Sequence, residues 1–583
     1  MLRRLVILFV GVALGIAAAW LASDPETRIQ ILGANKITLA SAETVAIPNA
    51  SGEPRVNWLA PRRGVRTPDY AAHGFATDVD VDLVVGPSGR VVSAEAVGGP
   101  QELFSQAVAV ARGWRFRPFE RKGRPVYAKF RFAVPILPPV RRPDYRAAFP
   151  DIRDWRSLRI RLERTACLGW CPSYVVEIHG DGTVFYRGEG YVAMRGLHRG
   201  WIEPETVRTL VGEFRKAEFF WLHDRYEADV TDLPIYTVGI AFDGRTREVV
   251  DYAGEHAGMP SAIADLEDAI DRAVGIRKWT MGDEETAPSL VAEGWDFQGA
   301  SEENLSMLAG VARYGSARAV TDLIAAGARI GGVALSVPVF GDEPRHGALF
   351  YAAARGELEM TRALLAAGAA ANDPREAGEA ALAAAETGNA GLLGLLLIQA
   401  DPKYRDARGR TVLMNAARSG APDAVALALR FRPDLNAADA DDMTALMHSV
   451  HVAPGAQPRE AADAAKVVRL LIEAGADVRA RTEEGDTALL LANTDAAVVR
   501  ALIAGGADVN AQNKEGFAAL AESLDPDVTR ALLEAGASPW LRDEQDRTQY
   551  EIVAGNPGLT QVTGGALAQW VKEHGTSEAG LRR

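Results

Sequence analysis

Apolar and polar residues alternate along this chain with two different periods, and the change from one to the other divides it. Between residues 77 and 252 the period is mostly two. Val79, Val81 and Leu83 interleave with Asp78, Asp80 and Asp82, which predicts a strand with one apolar and one acidic face. The acidic face reads as solvated, because no Gly-containing loop or distal Glu completes a calcium motif. Pro87-Ser88-Gly89 marks a turn, Arg90 to Val97 a second strand, and Glu102 to Arg112 a helix with Leu103, Ala107 and Val110 on one side. Tyr127 to Val134 alternates again. Leu158 to Leu162, Tyr174 to His179 and Thr183 to Arg187 read as strands, the last two joined across Gly180-Asp181-Gly182. Tyr236 to Phe242 and Glu248 to Tyr252 form a second predicted hairpin across Asp243-Gly244. Two amphipathic helices punctuate this region, Glu205 to Ala217 behind Pro204 and Pro260 to Val274.

From residue 301 the period becomes helical and the pattern repeats. Thr411-Val412-Leu413 with Ala416, Ala417 and Gly420 recurs 33 positions later as Thr444-Ala445-Leu446, and again as Thr487-Ala488-Leu489. Each copy leads into an apolar helical stretch that stops at a glycine: Gly475, Gly506 and Gly536, with weaker copies at Gly327 and Gly368. Two short helices and a glycine stop at this period resemble ankyrin repeats, about eight of them over residues 301–575. That resemblance implies a solenoid with a continuous core and an extended binding surface. Met414, Met447 and Leu490 stand where many such repeats have His, which exchanges a side-chain hydrogen bond for apolar packing. His448 and His451 then read as surface residues. Val452 to Ala461 reads as an insertion, and Trp540, Tyr550 and Trp570 as the cap of the last repeat.

The stretch from Thr77 to Pro135 carries a second resemblance. Ser88-Gly89-Arg90-Val91 in the hairpin, Ala107 and Arg112 on the helix, then Trp114, Phe116 and Pro118, then Gly123, Pro125 and Val126 together resemble the C-terminal domain of TonB-family energy transducers. The resemblance implies a compact ββαβ domain whose exposed sheet edge adds a peptide strand. It does not extend to energy coupling, since Leu5 to Ala22 holds no ionisable residue and residues 23–60 no Pro-rich spacer.

Charge narrows the range of partners. The net charge is −13 over 583 residues, and the acidic excess is greatest in residues 283–583. Nucleic acid is therefore an unsuitable partner for the array, because phosphate binding needs clustered Lys and Arg. At the N-terminus, Arg3 and Arg4 precede the 18-residue uncharged run Leu5 to Ala22, about 27 Å long as a helix. It reads as an inner-membrane anchor, with a cleaved signal peptide as the alternative. Either reading exports the bulk of the chain to the periplasm of a Gram-negative cell.

Cys167 and Cys171 are the two cysteines of the chain. In an exported protein such a pair reads as a disulfide. Extended, their Cα atoms would stand about 13 Å apart, so the intervening residues must turn. A redox pair is the competing reading, although C-x-x-x-C is not the thioredoxin-like C-x-x-C spacing. Arg164-Thr165-Ala166-Cys167-Leu168-Gly169-Trp170-Cys171-Pro172-Ser173-Tyr174 resembles the opening of a bacterial domain of unknown function. Gly182, Tyr186, Phe219-Phe220, Tyr226, Asp251-Tyr252 and Asp271 continue the likeness. No metal-ligand spacing, P-loop, G-x-S-x-G or cofactor fingerprint is found, and Gly188-Glu189-Gly190 lacks the strand–helix context of a nucleotide site.

The expected architecture is multidomain: an N-terminal membrane segment, two small α+β domains, then an all-α ankyrin solenoid. Its parts are a signal or anchor at 1–22, a linker at 23–60, a TonB-like domain at 61–140, an α+β domain at 150–282, a linker at 283–300 and the repeats. The expected function is a non-enzymatic envelope adaptor with protein partners and no cofactor, the array and the TonB-like edge supplying the contacts. A thiol-redox or other enzyme centred on residues 150–282 is the alternative.

Overall fold

A computed structural model describes residues 44–46, 58–59, 65–66, 78–121, 124–168, 171–299, 301–331, 346–369, 374–401, 403–450, 461–556 and 563–574. Leu5 to Ala22, Gly123, Gly169-Trp170, His451 and nearly all of the Val452 to Ala461 insertion lie outside these residues. No helix among the described residues is long and apolar enough to cross a membrane. The chain forms two compact units, residues 1–191 with 196–276, and residues 192–195 with 277–583.

The first unit holds two main sheets, of five and seven strands, and two two-stranded pairings. β1 (Thr44–Ala46), β2 (Trp58–Leu59) and β3 (Val65–Arg66) are short. They precede the hairpin of β4 (Val79–Val85) and β5 (Val91–Gly98). Next come α1 (Phe104–Arg112), β6 (Arg115–Phe116), β7 (Phe119–Arg121), β8 (Arg124–Val134) and β9 (Ile136–Leu137). The order across the five-stranded sheet is β1-β8-β4-β5, with β7 on β8, and the two-stranded pairings are β2 with β6 and β3 with β9. Alternation in β4 works as expected: Val79, Val81, Leu83 and Val85 are fully buried, while Asp82 faces its cross-strand partner Arg131 at 2.7 Å. The core closes on aromatic rings, with Trp114 edge-on to Phe132 at 5.2 Å and Phe116 edge-on to Phe130 at 5.4 Å. Gly89 is required by geometry. Its φ is +78°, and a Cβ there would lie 1.9 Å from the Phe116 carbonyl oxygen.

The second sheet comprises β10 (Arg159–Arg164), β11 (Ser173–His179), β12 (Thr183–Gly190), β13 (Gly196–Trp201), β14 (Arg225–Glu227), β15 (Tyr236–Phe242) and β16 (Arg245–Tyr252). Its order is β13-β12-β11-β10-β15-β16-β14. Helix α2 (Pro204–Lys216) lies between β13 and β14 in sequence and α3 (Ser261–Val274) follows β16. Val207, Leu210, Val211 and Phe214 of α2 and Ile263, Leu266, Ile270 and Val274 of α3 are buried. Arg66 fastens the two sheets into one unit, donating 2.8 Å to the Pro138 carbonyl and 2.7 Å to that of Met259. Trp221 Nε1 donates to the Pro143 carbonyl, and Arg142 stacks over the same indole at 4.7 Å.

The second unit begins with α4 (Arg277–Thr280) and α5 (Thr286–Glu293). Helix pairs then stack: α6 (Glu302–Tyr314) with α7 (Ala317–Ala325), α8 (Ala348–Ala354) with α9 (Leu358–Ala366), and α10 (Pro374–Glu386) with α11 (Ala390–Leu397). Further pairs are α12 (Val412–Ser419) with α13 (Pro422–Arg430), α14 (Ala445–Val450) with α15 (Ala461–Ala474), and α16 (Ala488–Leu491) with α17 (Ala496–Ala504). The series ends with α18 (Pro526–Glu534), α19 (Gln549–Gly555) and α20 (Gly565–His574). Inner helices α6, α8, α10, α12, α14 and α16 touch in sequence, as do outer helices α7, α9, α11, α13, α15 and α17.

Both expected linkers contain regular structure. β1 lies inside 23–60 and pairs parallel with β8. α5 lies inside 283–300 and buries Ala287 and Leu290. Short elements of this kind pair far along the chain and leave no local period.

Candidate functional site

Two constructions stand out, a buried charge cluster in the first unit and the hairpin edge of the repeats in the second. The cluster begins with register. Arg164 at the end of β10 sits opposite Tyr174 on β11 and Tyr236 on β15. Alternation turns Arg164 and Tyr174 toward α3, where both meet one carboxylate. Arg164 Nη2 donates 2.6 Å to Asp271 Oδ2, and Tyr174 Oη donates 2.8 Å to Asp271 Oδ1. The Arg164 guanidinium also stacks on Tyr236 at 4.4 Å and lies 3.7 Å from Asp268. Asp251 and Glu267 stand deeper, hydrogen-bonded to each other, and Asp251 accepts from the Gly254 N–H at 2.6 Å.

Burial governs how these groups ionise. It pushes the Asp271 carboxyl above its ordinary range while Arg164 and Tyr174 pull it back. Burial works against the Arg164 charge, yet the facing Asp271 raises its pKa overall. Glu267 is pushed well up, by burial first and by Asp251 second. The cluster therefore packs one buried cation against Asp271, beside a second pair of acids, Asp251 and Glu267, whose carboxyls burial also pushes up. Tyr174 and Tyr186 are also raised by burial.

Between the two residues that share Asp271 runs the cysteine loop. Cys167 and Cys171 are joined, with Cα atoms 5.5 Å apart. The loop is rooted on both sides by the same side chain, and Leu168 within it is 64% exposed. Thr165 braces its base, exchanging hydrogen bonds with the backbone of Ile235 at 3.0 and 2.9 Å.

The repeats present a different edge. Four hairpin tips are closed by a side chain that accepts two backbone N–H groups: Asp406 from Arg408 and Arg410, Asp439 from Asp441 and Met443, Asn513 from Glu515 and Phe517, and Asp543 from Gln545 and Arg547. Successive tips then bond to each other, Ala440 N–H to the Arg408 carbonyl and Lys514 N–H to that of Glu484, both at 2.8 Å. The edge is a ladder of braced loops with exposed charged side chains.

The motif residues of the repeats are scaffold. Thr411, Thr444 and Thr487 cap inner helices through the N–H groups of Met414, Met447 and Leu490. Leu413, Ala416, Ala417, Leu446 and Leu489 are buried, and Gly420, Gly475, Gly506 and Gly536 take positive φ. Two expectations need correction. The bond lost with His is partly remade, since Met414 and Met447 sulfurs accept the N–H of Thr411 and Thr444 at 3.3 and 3.4 Å. His448 is no surface residue: its Nε2 lies 2.7 Å from Asp439 Oδ2, and its side chain is 12% exposed. An acidic tip residue nine positions earlier supplies a partner that spacing did not suggest. In the first unit Trp114, Phe116 and Val126 are core, while Pro118 and Pro125 are exposed. Among the described residues no cluster of His, Cys, Asp or Glu could hold a metal ion.

The model of a domain of unknown function, DUF6438, matches residues 158–274. The model of ankyrin repeats in three copies matches residues 381–455 and 459–543. The former spans the second sheet with α2 and α3 and includes the cysteine loop whose roots share Asp271. No curated protein matches the chain. Among solved structures, the ankyrin repeat domain of Bcl-3, a member of the IkappaB protein family, is 25% identical, covering 36% of this chain and 94% of that chain at a TM-score of 0.29. A chain from the Bd0816 predatory endopeptidase of Bdellovibrio bacteriovorus in complex with immunity protein Bd3460 is 27% identical, covering 32% and 96%, at a TM-score of 0.28.

Proposed function

We propose that this protein is a non-enzymatic adaptor of the cell envelope that binds other proteins through its ankyrin array. The observation that carries the reading is the ladder of braced hairpin tips. Side-chain closure of four tips and bonds between neighbours hold exposed charged residues in place, and a partner then orders few of its contacts on binding. The array's acidic excess favours a partner with basic or mixed surface. Leu5 to Ala22 would anchor the chain at the inner membrane, and the rest would lie in the periplasm.

The resemblance of Thr77 to Pro135 to the TonB family adds a second contact, a sheet edge able to accept an extended peptide. The element order strand, strand, helix, strand supports it. So does the parallel pairing of β1 with β8, Thr44 beside Tyr127 and Ala46 beside Lys129, in which a short extended segment lies on that edge.

In-cell crosslinking read by mass spectrometry tests this, comparing the full chain with one lacking residues 301–583. A discrete envelope partner lost on deletion supports the array. Partners unaffected by the deletion would move the function to the first unit and favour the thiol-redox alternative.

A further inference from the structure

Five repeats end their outer helix in one way. Gly327, Gly368, Gly475, Gly506 and Gly536 adopt φ between +91 and +106°. The alanine after each donates its N–H back to a helix carbonyl, Ala328 to Leu323, Ala369 to Leu364, Ala476 to Leu471, Ala507 to Leu502 and Ala537 to Leu532. Two consecutive repeats depart. Helix α11 runs into Ile398-Gln399-Ala400-Asp401 with no glycine, and α13 runs into Phe431-Arg432-Pro433-Asp434. Arg432 takes the left-handed φ of +52° in the glycine's place. Pro433, lacking an N–H, cannot make the second closing bond.

A cavity of about 660 Å³ opens between these two departures, within the range of roughly 300–1,000 Å³ that suits small-ligand sites. Leu397, Val412 and Phe431 give it apolar walls, and Lys403, Arg405 and Arg432 supply cations. Asp401 and Asp434 also line it, each bonded within the cavity wall. Asp401 accepts the Lys403 backbone N–H at 2.9 Å. Asp434 accepts that of Asn436 and lies 4.0 Å from Arg405, while Arg405 also donates to the Ala438 carbonyl at 3.0 Å. The side chains of Lys403 and Arg432 make no hydrogen bond or ion pair among the described residues. A strained arginine where five sister repeats use glycine is backbone strain of the kind found at ligand clamps.

We propose that this cavity binds an apolar carboxylate, with Lys403 and Arg432 receiving the carboxylate and Phe431 and Leu397 the hydrocarbon body. The ligand is either a free organic acid or the C-terminal residue of a peptide, whatever protein the hairpin edge engages. Titration calorimetry on the full chain with 4-phenylbutyrate and with N-acetyl-Ala-Phe, each beside its amide, tests the proposal. The carboxylate forms are expected to bind and their amides to bind at least tenfold more weakly. Preference for one probe assigns the source. Arg432→Gly is expected to raise Tm by relieving the backbone while weakening binding at least tenfold, opposite signs that a purely structural arginine would not give. Lys403→Gln should weaken binding with Tm unchanged. No heat from either carboxylate at millimolar concentration, or wild-type affinity in Arg432→Gly, would overturn it.

Discussion

At the scale of single residues, the first unit depends on Asp271. Its carboxylate holds Arg164 and Tyr174 together, and both the arginine and the acid are largely buried (side chains 12% and 14% exposed). Removing one partner of a buried pair typically costs about 3–5 kcal/mol, because the other charge is left without compensation. Asp271→Asn should therefore lower the Tm of the first unit sharply, and scanning calorimetry would register it. Glu267 gives a pH signature. Its folded pKa lies above the unfolded value of about 4.3, so between the two the folded state binds more protons and stability falls as pH rises. Glu267→Gln should flatten that decline from about pH 5 upward and give a higher Tm than wild type at alkaline pH. Tm measured across pH decides it, and an unchanged slope would count against a buried protonated acid. The sequence named Arg164, Tyr174 and Asp271 as separate marks of one domain. Their convergence was not legible, since Asp271 stands 107 and 97 positions from its two partners. Glu267 did leave a signal: it is a charge on the buried stripe of Ile263, Leu266 and Ile270.

At the scale of elements, the loop between β10 and β11 is held twice, by its disulfide and by its roots. The chain-entropy account gives so small a ring about 2 kcal/mol, while the Asp271 grip remains without it. A Cys167→Ser, Cys171→Ser double variant should thus keep its circular dichroism spectrum and lose only a few degrees of Tm. Collapse of the first unit would show that the sulfur bridge itself holds β10 to β11. Strong alternation made most of the longer strands readable, β4 and β15 among them, and four-residue spacing did so for α2 and α3. β13 escaped because Gly196 and Gly200 break its apolar rhythm, and β14 because three residues carry no period. The ankyrin helices were legible through repetition, yet the turns spanning 518–524 replace the inner helix that repetition suggested.

At the scale of the molecule, the chain is two units, and the boundary at residue 276 falls where the last helix of the first unit ends. In the second unit each repeat is stabilised by its neighbours, so the weakest interface sets local opening. Deuterium exchange should find less protection across residues 398–434 than across 461–537, where the glycine stops are intact. Equal protection would mean the cavity costs the stack nothing. A row of packed repeats is also a spring, and a spring notched at one point bends there first. The missing glycine turns place that notch between α11 and α13, with repeats stacked on both sides. Whatever fills the cavity would stiffen the array at that notch, and a load passing from one arm to the other would feel whether it is filled.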